Sequence, residues 1–154
     1  MARLRNIVIR ISKAFTFEMA HALDGHDGKC ANIHGHSYRL EVTIMGTPLV
    51  QQKHPKNGMV MDYTELSAII YSTVISEMEH VLLLNKDSPF IALAEKAGYK
   101  KVVAVPYQPT CEMLLADFMQ RIKEELPKHL ALCTLRLSET QTSFAEWHAS
   151  DNLQ

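Results

Sequence analysis

Three histidines carry the strongest chemical signal in the chain. His34 and His36 stand two residues apart in Lys29-Cys30-Ala31-Asn32-Ile33-His34-Gly35-His36, and His21 lies a short loop upstream. A β-strand turns residues i and i+2 to one face, so the imidazoles of His34 and His36 project together. Gly35 between them has no side chain to crowd the opposite face. Neutral imidazole is a preferred zinc ligand, and three of them leave a fourth position open to water or substrate, as catalytic zinc sites require. Iron, nickel and manganese also accept imidazole, so ligand type alone does not fix the metal. The third donor is expected from His21, at the end of the preceding strand. His26, in the intervening loop, is its competitor.

Other side chains could act beside such an ion. Cys30 has three readings from spacing: a fourth ligand closing a structural site, a proton-transferring thiolate beside the metal, or an inert thiol. Glu79-His80 pairs a carboxylate with an imidazole, the composition of a proton relay, and equally of a solvated helix end. Glu139 shares strand parity with Leu135 and Leu137; it reads either as a strand-end carboxylate bending out to water or as an inward one, which can accept two hydrogen bonds from an amino-pyrimidine edge. Cys111 and Cys133 fall on apolar stretches and are expected to pack.

The elements that must hold these residues follow from periodicity. From Asn6 to Ala20, Ile7, Ile9, Ile11, Phe15, Phe17 and Met19 share one face at period two, and His21 keeps that parity. Asp24-Gly25-His26-Asp27-Gly28 marks a loop. Alternation returns from His34 to Met45, with Tyr38, Leu40, Val42 and Ile44 opposite Arg39, Glu41 and Thr43. Asp62 is the expected cap of a helix with the stripe Leu66, Ile69, Ile70, Val74 and Met78, and Glu65 completes a capping-box pattern. Ser88-Pro89 starts a shorter helix that Gly98 ends. Residues 101–105 form a short strand closed by Pro106. Thr110 caps a second long helix with the stripe Leu115, Phe118, Met119, Ile122 and Leu126. Residues 134–140 and 144–147 read as a hairpin. This order predicts an α+β fold with an antiparallel sheet.

Composition narrows the function. The chain has 154 residues, 47% hydrophobic and 21% charged, with a formal net charge of −1. That length suits one domain, residues 1–154, with a real core. No basic surplus points to nucleic acid, and no apolar run reaches membrane-spanning length. The N-terminal stretch lacks a long apolar segment, which argues against a signal peptide. Three widely spaced cysteines fit reduced thiols. The expected compartment is the cytoplasm.

Taken in order, the motifs resemble the 6-pyruvoyltetrahydropterin synthase superfamily. Phe17-Glu18-Met19-Ala20-His21-Ala22-Leu23 and Cys30-x-x-x-His34-Gly35-His36-Ser37-Tyr38 look like its metal segment. Gly58-Met59-Val60-Met61-Asp62-Tyr63 is similar to the entry to its first long helix. Glu79-His80 with Leu84-Asn85 resembles its relay segment, Pro109-Thr110-Cys111-Glu112 the start of its second helix, and Ser138-Glu139-Thr140 its pterin-anchoring strand end. The resemblance implies the tunnelling fold: a four-stranded antiparallel sheet with two main helices on one face, here with a small helix-strand insertion. It implies assembly of two trimers into a homo-hexamer. It makes His21, His34 and His36 the zinc ligands, Cys30 a proton-transferring thiol, and His80 with Glu79 a second acid/base pair. Glu139, with Thr140 beside it, becomes the pterin anchor. The implied substrate is 7,8-dihydroneopterin triphosphate, whose side-chain hydroxyls zinc would acidify. Three residues between Cys30 and His34 resemble the 6-carboxy-5,6,7,8-tetrahydropterin synthase branch of queuosine biosynthesis, which releases acetaldehyde and triphosphate. The 6-pyruvoyltetrahydropterin synthase reaction and a non-catalytic pterin-binding zinc module are the alternatives. One departure stands out: the relay acid is Asp in the family and Glu79 here. The extra methylene moves the carboxylate by about 1.5 Å, and a misplacement near 1 Å can cost about 10²-fold in rate.

Overall fold

The computed structural model describes residues 7–152. Asn6, the expected start of the first strand, lies outside them. Strand β1 (Ile9–His21) and strand β2 (His34–Gly46) pair antiparallel from Ile9 opposite Gly46 to His21 opposite His34. The alternation read from the sequence holds. Phe17, Met19, Tyr38, Leu40, Val42 and Ile44 are buried on one face, while Glu18, Ser37 and Arg39 are exposed on the other.

The sheet differs from the four-stranded antiparallel one that the resemblance implies. It has six strands in the order β4-β3-β1-β2-β5-β6 and is mixed. Strand β3 (Val81–Asn85) runs parallel to β1, and β4 (Val102–Val105) parallel to β3. The cause lies in Val81-Leu82-Leu83-Leu84, a run apolar at both parities. Such a run suits a parallel strand covered on both faces, and Leu83 and Leu84 are fully buried although they point opposite ways. β5 (Ala131–Ser138) and β6 (Phe144–His148) form the expected antiparallel hairpin. Where β5 pairs with β2 it carries one extra residue, Cys133, between Leu132 opposite Ile44 and Thr134 opposite Thr43. That bulge shifts the parity, so Leu132, Cys133 and Leu135 are all buried.

Helix α1 (Tyr63–Ile70) continues through a π segment (Tyr71–Ile75) into one further turn, α2 (Ser76–Met78). The hydroxyls of Ser72 and Thr73 both donate to the Ile69 carbonyl, at 3.0 and 2.7 Å. Such donation competes with the helical ladder, and the wider turn takes up the difference. It lets adjacent Val74 and Ile75 both face the core. Asp62 caps α1 by accepting from the Thr64 amide at 2.8 Å. Glu65 pairs with Lys56 instead of closing a capping box.

Helix α3 (Pro89–Lys96) has Ser88 as its cap, and Gly98 beyond its end takes φ +83°. It lies on the sheet face opposite α1, where Phe90 and Ala94 share a groove with Leu82 and Val102. Helices therefore cover both faces, not one. Helix α4 (Cys111–Glu125), capped by the Thr110 hydroxyl, buries Leu114, Leu115, Phe118 and Ile122 against the sheet.

The centre of the core is aromatic. Phe17 and Tyr38 stack with centroids 5.1 Å apart, and Phe118 meets Phe17 edge-on at 6.2 Å. Phe118 is fully buried. Phe118→Ala should destabilise the fold by about 3–5 kcal/mol, read as a lower urea midpoint with an unchanged denaturant slope.

Candidate functional site

His21, His34 and His36 meet at the end of the β1–β2 pair, on the face covered by α1 and α4. Their possible ligand atoms all lie within 4.8 Å of one another. Pairing places His21 opposite His34 and Met19 opposite His36, so one register delivers all three. On the opposite face Gly35 is exposed and borders a groove, and only the backbone of β1 approaches it closely. A Cβ at Gly35 would stand 3.2 Å from the Met19 carbonyl oxygen.

Hydrogen bonds fix two of the tautomers. His21 Nδ1–H donates to the Pro109 carbonyl at 2.7 Å, and His34 Nδ1–H to the Asn32 carbonyl at 2.8 Å. A carbonyl only accepts, so each Nδ1 carries the proton and each Nε2 presents a lone pair. Those two Nε2 atoms are 3.1 Å apart. Two lone pairs that close repel unless a cation lies between them. Two ligands of a tetrahedral zinc, with Zn–N about 2.0–2.1 Å, stand roughly 3.3 Å apart. The donor set thus fits a metal ion.

Electrostatics favours the ligating form. Burial holds His21 below the usual histidine range, against the bond to Pro109, with His34 and His36 pushing the same way as burial and Glu139 opposing. Burial also lowers His36; Glu139 opposes and His34 adds to the shift. His21 is only 2% exposed.

The other expected residues divide into two groups. Cys30 sits in a short 3-10 turn (Lys29–Ala31), half-buried, and its carbonyl accepts from the Leu23 amide at 2.9 Å. Its thiol is not part of the three-histidine group. His26 turns to its own loop, accepting from the Gly28 amide at 2.8 Å. Glu139 follows β5 and receives the Tyr38 hydroxyl at 3.3 Å, on the cluster's face of the sheet. Thr140, two residues past the end of β5, is exposed and accepts from the Thr142 and Ser143 amides at 3.2 and 3.0 Å, closing the β5–β6 turn.

Glu79 and His80 pair with each other and not with the cluster. His80 Nδ1 contacts Glu79 Oε1. The His80 backbone is left-handed, φ +59°, and its N–H donates to the Glu18 carbonyl at 2.7 Å. His80 lines a groove of about 780 Å³ with Glu18, Ala20, Ser37 and Leu82. Those strand residues face away from the cluster.

Three contributors escape a sequence reading: the carbonyls of Pro109 and Asn32, and Tyr38. Burial and the nearby Glu139 push the Tyr38 pKa up, so its hydroxyl stays a donor. Pro109-Thr110 signals a helix start, but no spacing rule tells which side chain the preceding carbonyl reaches.

Two measurements test this description. An unfolded histidine titrates near about 6.5, and folding lowers His21 and His36. The folded metal-free protein therefore binds fewer protons in that window. The stability these groups contribute is complete above about pH 6.5 and is lost as pH falls through the folded values. The thermal midpoint of the metal-free protein should drop between about pH 7 and about pH 5.5, and His36→Gln should shrink the drop. Thiol titration is the second test. Cys111 donates to the Leu137 carbonyl at 3.2 Å, and burial, then Glu139, pushes its pKa up to about 12. Cys133 is buried too. At about pH 8 a disulfide reagent should find one fast thiol, and Cys30→Ala should remove it.

Comparison with known proteins gives a consistent picture. A sequence model described as 6-pyruvoyl tetrahydropterin synthase matches residues 10–150. The 6-carboxy-5,6,7,8-tetrahydropterin synthase of Haemophilus influenzae is 36% identical over 144 residues, covering 91% of this chain and 99% of that protein. The protein of the same name from Aquifex aeolicus is 30% identical over 161 residues, covering 89% and 96%. Among solved structures, an uncharacterized protein from Wolinella succinogenes superposes with a TM-score of 0.75 at 18% identity, covering 94% of this chain and 99% of its own. Caenorhabditis elegans 6-pyruvoyl tetrahydropterin synthase superposes with a TM-score of 0.64 at 22% identity, covering 93% and 96%. The chain belongs to the 6-pyruvoyl tetrahydropterin synthase family.

Proposed function

We propose that this chain is a zinc-dependent 6-carboxy-5,6,7,8-tetrahydropterin synthase, a lyase that converts 7,8-dihydroneopterin triphosphate and one water to 6-carboxy-5,6,7,8-tetrahydropterin, acetaldehyde and triphosphate. The observation that carries the reading is the convergence of His21 and His34, two outward-braced imidazoles with lone pairs 3.1 Å apart, beside His36. The curated relatives bearing that enzyme name support the choice of reaction.

In this reading His21, His34 and His36 hold zinc. Bound there, the ion supplies Lewis acidity toward substrate oxygen. Cys30, on the turn that leads into His34, transfers a proton at the substrate side chain. Glu139 accepts the N–H groups of the pterin edge, and the Tyr38 hydroxyl holds its other side. Thr140 closes the adjoining turn and fixes the Glu139 backbone. His80, polarised by Glu79, transfers the second proton.

The placement of His80 bears on assembly. Within one chain it faces a groove on the sheet side away from the histidine cluster. In this reading a second copy brings its own Glu79–His80 pair to the cluster. Such sharing makes the protein a homo-oligomer, and the family resemblance makes it a hexamer of two trimers. A cytoplasmic enzyme of queuosine biosynthesis, built as one domain over residues 1–154, completes the reading.

The test is direct. Zinc-loaded protein incubated with 7,8-dihydroneopterin triphosphate should release acetaldehyde and triphosphate in equal amounts. Cys30→Ala should slow turnover by at least about 10²-fold while zinc stays bound. Triphosphate without acetaldehyde would move the assignment to 6-pyruvoyltetrahydropterin synthase. Loss of zinc from Cys30→Ala would make the thiol a ligand.

A further inference from the structure

His21 is the most buried of the three histidines, and its outer nitrogen depends on one backbone carbonyl. Pro109 supplies it, at 2.7 Å. That carbonyl is free because it lies one residue ahead of the helix cap. The Thr110 carbonyl takes the first helical bond, from the Leu114 amide at 3.0 Å. The Thr110 amide donates back to the Gln108 carbonyl at 2.7 Å, which closes a three-residue turn centred on Pro109. The proline ring fixes φ at the centre of that turn. The Pro109 carbonyl is thereby aimed across the end of β1.

The segment carrying this turn is tied down on two sides. Gln108 Nε2 donates to the Asp24 carbonyl at 2.8 Å, joining it to the loop just beyond His21. The Tyr107 hydroxyl donates to Asp117 Oδ2 at 2.8 Å, joining it to the second turn of α4. Asp117 is held in turn by Arg121, also at 2.8 Å, and Arg121 pairs with Glu77 at the end of the first helical run. Tyr107 and Gln108 are half-buried, and neither hydrogen-bonds to the cluster. Their ties act on the peptide between them and His21.

We infer that Tyr107 and Gln108 are positioning residues of the metal centre, setting the orientation and tautomer of His21 through the Pro109 carbonyl. The inference rests on the reading that the three histidines hold zinc. Partners on the outer nitrogen of a ligating imidazole fix its tautomer, and their loss typically costs 10–100-fold in metal affinity. With either tie cut, the Pro109 carbonyl swings, and the His21 lone pair loses its aim.

Tyr107→Phe and Gln108→Met each remove one hydrogen bond at nearly constant volume. In the full chain, zinc affinity would be measured by competition with a chromogenic chelator, the ligand-field spectrum with Co²⁺ in place of zinc, and the thermal midpoint without metal. Each variant should bind zinc about tenfold more weakly and show an altered Co²⁺ spectrum. A merely structural role would lower the metal-free midpoint and leave affinity and spectrum at wild-type values; that result overturns the inference. If Tyr107→Phe does not fold, Gln108→Met decides alone. His21→Ala, run in parallel, separates the two levels. Wild-type protein that fails to bind zinc, or His21→Ala that binds it as tightly, sinks the three-histidine reading itself. Loss of binding in His21→Ala with wild-type affinity in both other variants sinks only the role of Tyr107 and Gln108.

Discussion

The register of β1 against β2 governs the molecule. Phe17 opposite Tyr38 builds the aromatic centre, and the same ladder sets Met19 opposite His36 two pairs further on and His21 opposite His34 four pairs further on. Core and candidate metal site are thus one pattern of alternation read to its end. A slip by one residue would send His34 and His36 to the other face together with Leu40, Val42 and Ile44, exposing the core. The cost of exposing those side chains is what keeps the imidazoles in place. Packing precision at the site is inherited from hydrophobic burial below it.

Around this ladder the remaining elements act as braces. α4 covers Phe17 with Phe118, and the peptide ahead of its cap reaches His21. The loop after β1 is closed by the Leu23 amide on the Cys30 carbonyl, which holds the thiol near the entry to β2. On the far side, β3 continues the sheet beside β1, and α3 covers it from the opposite face. The result divides the chemistry. Histidines, Glu139 and Tyr38 lie on the face of α1 and α4, while His80, paired with Glu79, lies toward the groove beside α3.

What the sequence discloses follows from where the physics is periodic. His21, His34 and His36 were legible because one face of β1 and β2 is buried and the other is wet, so parity has meaning. The caps Asp62, Ser88 and Thr110 were legible because their side chains answer a local need of the backbone. β3 was not: Val81, Leu83 and Leu84 are buried on both sides, and a run without alternation names neither strand nor partner. The facing of His80 turns on a left-handed φ that no hydrophobic pattern records. The Pro109 carbonyl is invisible for a simpler reason, since every residue carries a carbonyl and only the fold selects this one. Cys133 shows the limit inside a correctly read hairpin, where a single extra residue reverses the parity of everything before it.

All three histidines lie between residues 21 and 36, on a single hairpin. Bringing His21 to His34 in an unfolded chain closes a short loop, and closure entropy grows only with the logarithm of length. A metal held by this set therefore keeps appreciable affinity for the denatured chain. Binding to the unfolded state subtracts from the stabilisation that binding to the native state confers. Thermal shifts on adding metal would then understate native affinity.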